Sequence, residues 1–169
     1  MPNLIPGSYP AFMESYISLV DADTIAEAIK KYAAGISDFF KNIPFEKVNY
    51  RYAPDKWNIK EMLQHIIDTE RIFAYRAVSI ARHEKTPLPG FDEKSYAIFA
   101  NANERSWENL LQELDAVRKS TDFLLLSFTN DQLKQSGTTN NSPNTVEAIS
   151  YCIYGHILHH TNILKERYL

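Results

Sequence analysis

The sequence predicts an all-α protein, a four-helix bundle with long connections. Three observations predict it. Apolar residues recur every three or four positions through four long segments. Glycine is scarce, at 5 of 169 residues. No segment alternates apolar and polar residues as a half-buried strand does. Four amphipathic helices bury their stripes by packing on one another.

The first helix lies in "DADTIAEAIKKYAAGISDFFKNIP", where Ile25, Ile29, Tyr32, Ile36, Phe39 and Ile43 share one face. Asp21 or Asp23 is placed to cap it, and Pro44 stops it. The second lies in "WNIKEMLQHIIDTERIFAYRAVSIAR". Asn58 and Glu61 have capping-box spacing, and Ile59, Leu63, Ile66, Phe73, Ala77 and Ile80 form the stripe. Pro87, Pro89 and Gly90 lie beyond its end. The third, in "ERSWENLLQELDAVRKSTDFLLLSF", aligns Trp107, Leu110, Leu114, Val117, Leu124 and Phe128. The fourth is "NTVEAISYCIYGHILHHTNILKERYL", with cap spacing at Asn144 and Glu147 and with Lys165 and Arg167 suiting its C-terminal dipole. The connections from about His83 to Asn103 and from Asn130 to Asn144 exceed the short links of a minimal bundle. Connections of that length wrap an end of the bundle or cover a site. No repeat or linker divides the chain, so residues 1–169 read as one domain.

Composition narrows the function classes. Hydrophobic residues make up 44% and charged residues 23%, and the formal charge is −3. That balance disfavours nucleic acid, which wants a basic face. The start "MPNLIPGSYP" lacks a basic segment followed by an apolar stretch, and no apolar run reaches membrane-spanning length. The expectation is a cytoplasmic protein without membrane or nucleic-acid partners. Cys152 is the single cysteine, which excludes an internal disulfide and a cysteine-based zinc site.

Three of the five histidines crowd into "YGHILHHTNILKERYL", as His156, His159 and His160. At ~100° per residue, His156 and His160 stand ~40° apart on the face flanked by Ile149, Ile153 and Ile163, whereas His159 lies ~60° off it. An i, i+4 pair can place two ring nitrogens on one metal. A metal needs a further ligand. His83, beside Glu84 and Lys85, reads as surface, so the natural set is His65, His156 and His160. Three imidazoles with an open position are a usual catalytic arrangement for zinc. By spacing alone, two hydrogen-bonded core histidines are the commoner explanation. His65 also lies ~140° from the stripe of its own helix. Either that helix is apolar on two faces, one of them in a dimer interface, or His65 points outward and is no ligand.

Other chemistries find less support. Ile157 follows His156, so the glutamate base of an H-E-x-x-H helix is missing. The Glu-x-x-His pairs of a di-iron bundle are absent, as are a phosphate-binding glycine loop and a serine nucleophile motif. Cys152, one turn before His156, is a small buried hydrophobe or a reserve soft ligand. Asp68 and Glu61, one turn either side of His65, are candidate general bases, with surface carboxylates as the simpler reading.

Four segments carry a resemblance: "YISLV", "YRYAPDKWNIKEMLQHIIDTERIFAYRAVSIAR", "TPLPGFDEKSY" and "GHILHHTNILKERYL". Together, and in this order, they resemble the DinB-like (damage-inducible) family. The resemblance implies a four-helix bundle holding one divalent metal on His65, His156 and His160. It leaves zinc and nickel first, with manganese and iron open, since imidazole suits all four. It implies a metal-dependent enzyme acting on a small molecule, either a hydrolase or an S-transferase using a low-molecular-weight thiol as co-substrate. It also implies a homodimer. The alternative is a non-catalytic metal- or ligand-binding module, and the occupant of the fourth coordination position separates the two.

Overall fold

The computed structural model describes Leu4, Ile5 and residues 7–169; residues 1–3 and 6, part of the stretch read as lacking a leader, lie outside the described residues. Four long helices build the bundle: α2 (Ile25–Lys41), α3 (Ile59–Ala81), α5 (Trp107–Leu126) and α7 (Val146–Arg167). Short helices α1 (Glu14–Ile17), α4 (Glu93–Phe99) and α6 (Asn130–Leu133) lie in the connections. No helix among the described residues is long and apolar enough to cross a membrane.

The stripes do pack the core. Ile25 and Ile36 of α2, Ile59, Leu63, Ile66 and Ala77 of α3, and Trp107, Leu110 and Leu114 of α5 are all buried. The capping box of α3 is as expected: the Asn58 side chain accepts from Glu61 N and the Glu61 carboxylate from Asn58 N, at 2.9 Å each. Two other caps differ. α2 is capped by Thr24 in a box with Glu27, in place of Asp21 or Asp23. α7 is capped by Thr145, and its neighbour Asn144 is buried, its amide directed to Thr139 Oγ1 at 3.3 Å.

The expectation of no strand needs correction. β1 (Ser136–Thr139) and β2 (Ser142–Thr145) form an antiparallel hairpin. Its turn residues Asn140 and Asn141 both take positive φ, 47° and 60°, the geometry of the hairpin turn that matches strand twist. The loop after α3 joins this hairpin. Leu88 N donates to Thr138 O, and Asn140 N to Leu88 O, both at 2.9 Å. The two long connections therefore meet and cover one region of the bundle. The exposed His83 ends α3 with a left-handed φ of 64°.

α3 is a central helix. It packs on α7 and α5, and also on α4 and β1. His65, Thr69 and Arg76 are buried with its apolar stripe, and Ile72 is half-buried against the same core. The second face of α3 is thus covered by its own chain, and His65 points inward. The outward placement that the wheel allowed for His65 is not the one the chain adopts.

Candidate metal centre and its cavity

α3 contributes His65 and α7 contributes His156 and His160. The three are buried, and their ring nitrogens lie within 4.8 Å of one another. His156 Nε2 faces His65 Nε2 at 3.1 Å and His160 Nε2 at 3.0 Å. One in-plane lone pair or proton on His156 cannot serve two ring nitrogens at once. Among the described residues His160 Nδ1 is buried without a partner, and Thr69 Oγ1 reaches His65 Nδ1 only at 3.5 Å. As a hydrogen-bonded group, the cluster is frustrated. As a ligand set it is coherent. Tetrahedral zinc–imidazole bonds of about 2.0–2.1 Å place neighbouring nitrogens roughly 3.3 Å apart. The donor set therefore fits a divalent cation.

Electrostatics point the same way. Burial drives the His65 imidazole down to about 4 and His160 to about 3, the latter helped by the nearby His65. His156 is held well below the ordinary histidine value by burial and by both neighbours. All three rings are neutral near pH 7, the form that binds metal.

Aromatic side chains fix the rings. Trp57 lies against His65 with centroids 4.8 Å apart, and Tyr16 against His156 at 5.5 Å. Tyr16 is brought there because α1 packs on α7 at Gly155, where a Cβ would meet Tyr16 O at 2.1 Å. Any side chain at 155 would push this segment off the site. His159 is half-buried at the edge, against Tyr16 at 5.1 Å, and its nitrogens do not join the cluster.

A cavity of about 170 Å³ opens beside His65 and His156. Phe12, Tyr16, Phe73 and Phe91 give it aromatic walls, and Thr69 and Arg76 add polar ones. A wider cleft of about 580 Å³ reaches His160 from the other side, past Trp57, Ile163 and Arg167. Glu93, at the start of α4, lines both.

Sequence reasoning missed Glu93, Tyr16 and Arg76 and favoured other carboxylates. Glu61 is occupied as a helix cap and by Arg51 at 3.0 Å. Burial raises the Asp68 carboxyl, but it bonds the Gln64 amide at 2.9 Å and lines a separate cleft with Arg71 and Phe99. Neither lines the openings beside the histidines, so neither is placed as a base there. Cys152 is fully buried and does not join the three histidines as a ligand, and burial pushes its thiol well up. The signal for Tyr16 was the "YISLV" segment and for Glu93 the "TPLPGFDEKSY" segment; for Arg76 it was the helical period, since eleven residues put it ~20° from His65 on the same face of α3.

The sequence model of the DinB superfamily matches residues 29–164, a span that includes all three clustered histidines. The chain belongs to the DinB superfamily. The chain is similar to a protein of Oceanobacillus iheyensis named, provisionally, as a metal-dependent hydrolase. The two are 22% identical over 121 residues, 71% of this chain and 69% of the relative. Its structure is similar to that of YfiT from Bacillus subtilis, described as a probable metal-dependent hydrolase with an unusual four-helix bundle topology. The TM-score is 0.69, with 98% of this chain and 91% of YfiT covered. At 15% identity that likeness establishes the fold.

Proposed function

We propose that His65, His156 and His160 hold one divalent metal ion, zinc or nickel, and that the protein is a metal-dependent enzyme acting on a small molecule. The observation that carries the proposal is the convergence of three buried, neutral imidazoles at the wall of a cavity. Among the described residues, no fourth histidine, cysteine or carboxylate joins them. That favours chemistry over a closed structural site. An ion held by these three imidazoles would supply Lewis acidity, which lowers the pKa of a water or thiol bound to it.

The chain's own residues supply the rest. Trp57 packs on the His65 ring, and Tyr16 packs on His156. The aromatic walls lower the local polarity, which strengthens charge interactions beside the histidines. The first reading is hydrolysis. Glu93 is the one carboxylate lining both openings, and it is the chain's candidate to accept a proton from a water there. The test is hydrolysis of activated esters and amides by zinc- or nickel-loaded protein. Turnover lost in both His156→Ala and Glu93→Gln supports it; turnover indifferent to Glu93→Gln removes Glu93 as the base.

The second reading is transfer to a low-molecular-weight thiol. Cys152 is buried, so the nucleophile comes from solution, and a small thiol can supply it as well as water can. A thiol, with a free pKa of ~8.5, needs less help to ionise than water does. Cobalt-loaded protein should gain an S→Co charge-transfer band near neutral pH on adding a small cellular thiol, and His65→Ala should not. An unchanged spectrum across a panel of thiols leaves hydrolysis.

A further inference from the structure

Arg76 is the one cationic side chain lining the cavity beside His65 and His156. It is only 5% exposed, yet among the described residues no carboxylate lies within ion-pair distance of it. Among the described residues its one hydrogen bond runs from Nη2 to Pro89 O at 2.8 Å; its other N–H groups are not sealed from solvent, and the residue lines the cavity. The other buried arginine behaves differently: Arg118 meets Glu70 at 2.8 Å and Asp122 at 3.1 Å. A buried guanidinium without an anion is costly, and proteins rarely keep one.

Its surroundings show where an anion would come from. The guanidinium lies over the rings of Phe73 at 5.6 Å and Phe91 at 5.9 Å. The Phe73 ring also contacts His156, with centroids 6.2 Å apart. One aromatic ring therefore separates the guanidinium from the metal-facing imidazoles, and both border one cavity. A guanidinium fork matches a carboxylate's two oxygens. The apolar walls suit an apolar body between the two ends.

We propose that the cavity binds a small organic carboxylate with an aromatic or similarly apolar body, its charged end held by Arg76 and its reacting end at the three-histidine centre. The proposal rests on the reading of that centre as a metal-dependent active site. It adds the substrate class: an acid, oriented charge-first. Glu93 is the one carboxylate lining the cavity and the competing partner for Arg76. It is exposed on α4 and not paired with Arg76 in this structure.

The test compares benzoate with its neutral isostere benzamide by calorimetry at neutral pH. It uses the full-length protein, once metal-loaded and once after chelator treatment. Benzoate is expected to bind at least tenfold more tightly than benzamide in both forms. Arg76→Gln should abolish that preference while metal content stays at that of the wild type; Arg76→Lys should keep part of it. An arginine serving only to clamp Pro89 would change stability in Arg76→Gln and leave the preference in place. Equal affinities, no binding of either compound, a preference that survives Arg76→Gln, or one that exists only with metal bound would each overturn the proposal. A benzoate preference that depends on Arg76 in a protein that takes up no metal would support the anion site and sink the metal reading alone.

Discussion

The Nε2 atoms of His65 and His156, 91 residues apart in the chain, face each other at 3.1 Å across the α3–α7 interface. Two buried ring nitrogens at that distance cannot both be protonated without strong repulsion. The folded-state pKa values fall below the unfolded value of ~6.5, to about 4 for His65 and about 3 for His160. As pH falls, the unfolded chain therefore takes up protons first. The stabilisation is complete above ~6.5 and is lost as pH falls toward the folded values, by roughly 1.4 kcal/mol per pH unit for each histidine. The urea midpoint of the metal-free protein should drop steeply between pH 7 and pH 5. His160→Gln should flatten that slope, and an unchanged wild-type midpoint over the range would contradict the buried neutral cluster.

Arg118 and Glu70 form a buried pair between α5 and α3 at 2.8 Å, with Glu70 3% exposed. Removing one partner strands the other charge. Arg118→Met should cost about 3–5 kcal/mol, whereas replacing both by apolar residues should recover much of it. Urea unfolding of the single and double variants measures this. A loss below about 1 kcal/mol in Arg118→Met would mean that water reaches Glu70.

Gly155 lets α1 press on α7 and seat Tyr16 beside His156. Gly155→Ala should lower stability by about 1–3 kcal/mol, the usual cost of overpacking, even though alanine is the better helix former. A thermal midpoint at or above the wild type's would show that the N-terminal segment yields freely.

His159 and His160 are neighbours with different tasks. His160 Nε2 reaches His156 Nε2 at 3.0 Å, whereas His159 packs on Tyr16 at the edge. Metal affinity should survive His159→Ala nearly unchanged. In His160→Ala it should fall by more than about a hundredfold, beyond what losing an outer hydrogen-bond partner costs. The reverse order would place the site on i, i+3 spacing.

The parts of this fold legible in the sequence were the local ones. The stripes of the four long helices and the Asn58–Glu61 box depend on residues within a turn of one another. His65 was harder, because a helical wheel assumes one packed side, and α3 has neighbours on several. The hairpin escaped because Ser136–Thr139 and Ser142–Thr145 are short and polar; Asn140–Asn141 was the available turn signal. The caps Thr24 and Thr145 sit beside other good acceptors, Asp23 and Asn144, and only the backbone geometry separates them. Arg76 lies eleven residues after His65 on α3, ~20° away on the same face, so the helical period alone could have marked it; Glu93 becomes a neighbour of the histidines only when the connection after α3 folds back.

The central claim is that His65, His156 and His160 hold one divalent metal. The most direct measurement is elemental analysis of the untagged protein purified without chelator, beside the His65→Ala, His156→Ala and His160→Ala variants. About one zinc or nickel ion per chain in the wild type, lost in all three variants while their helical content is kept, is the predicted result. A wild-type protein that carries no metal and takes up none on dialysis, or variants that retain it, would contradict the account.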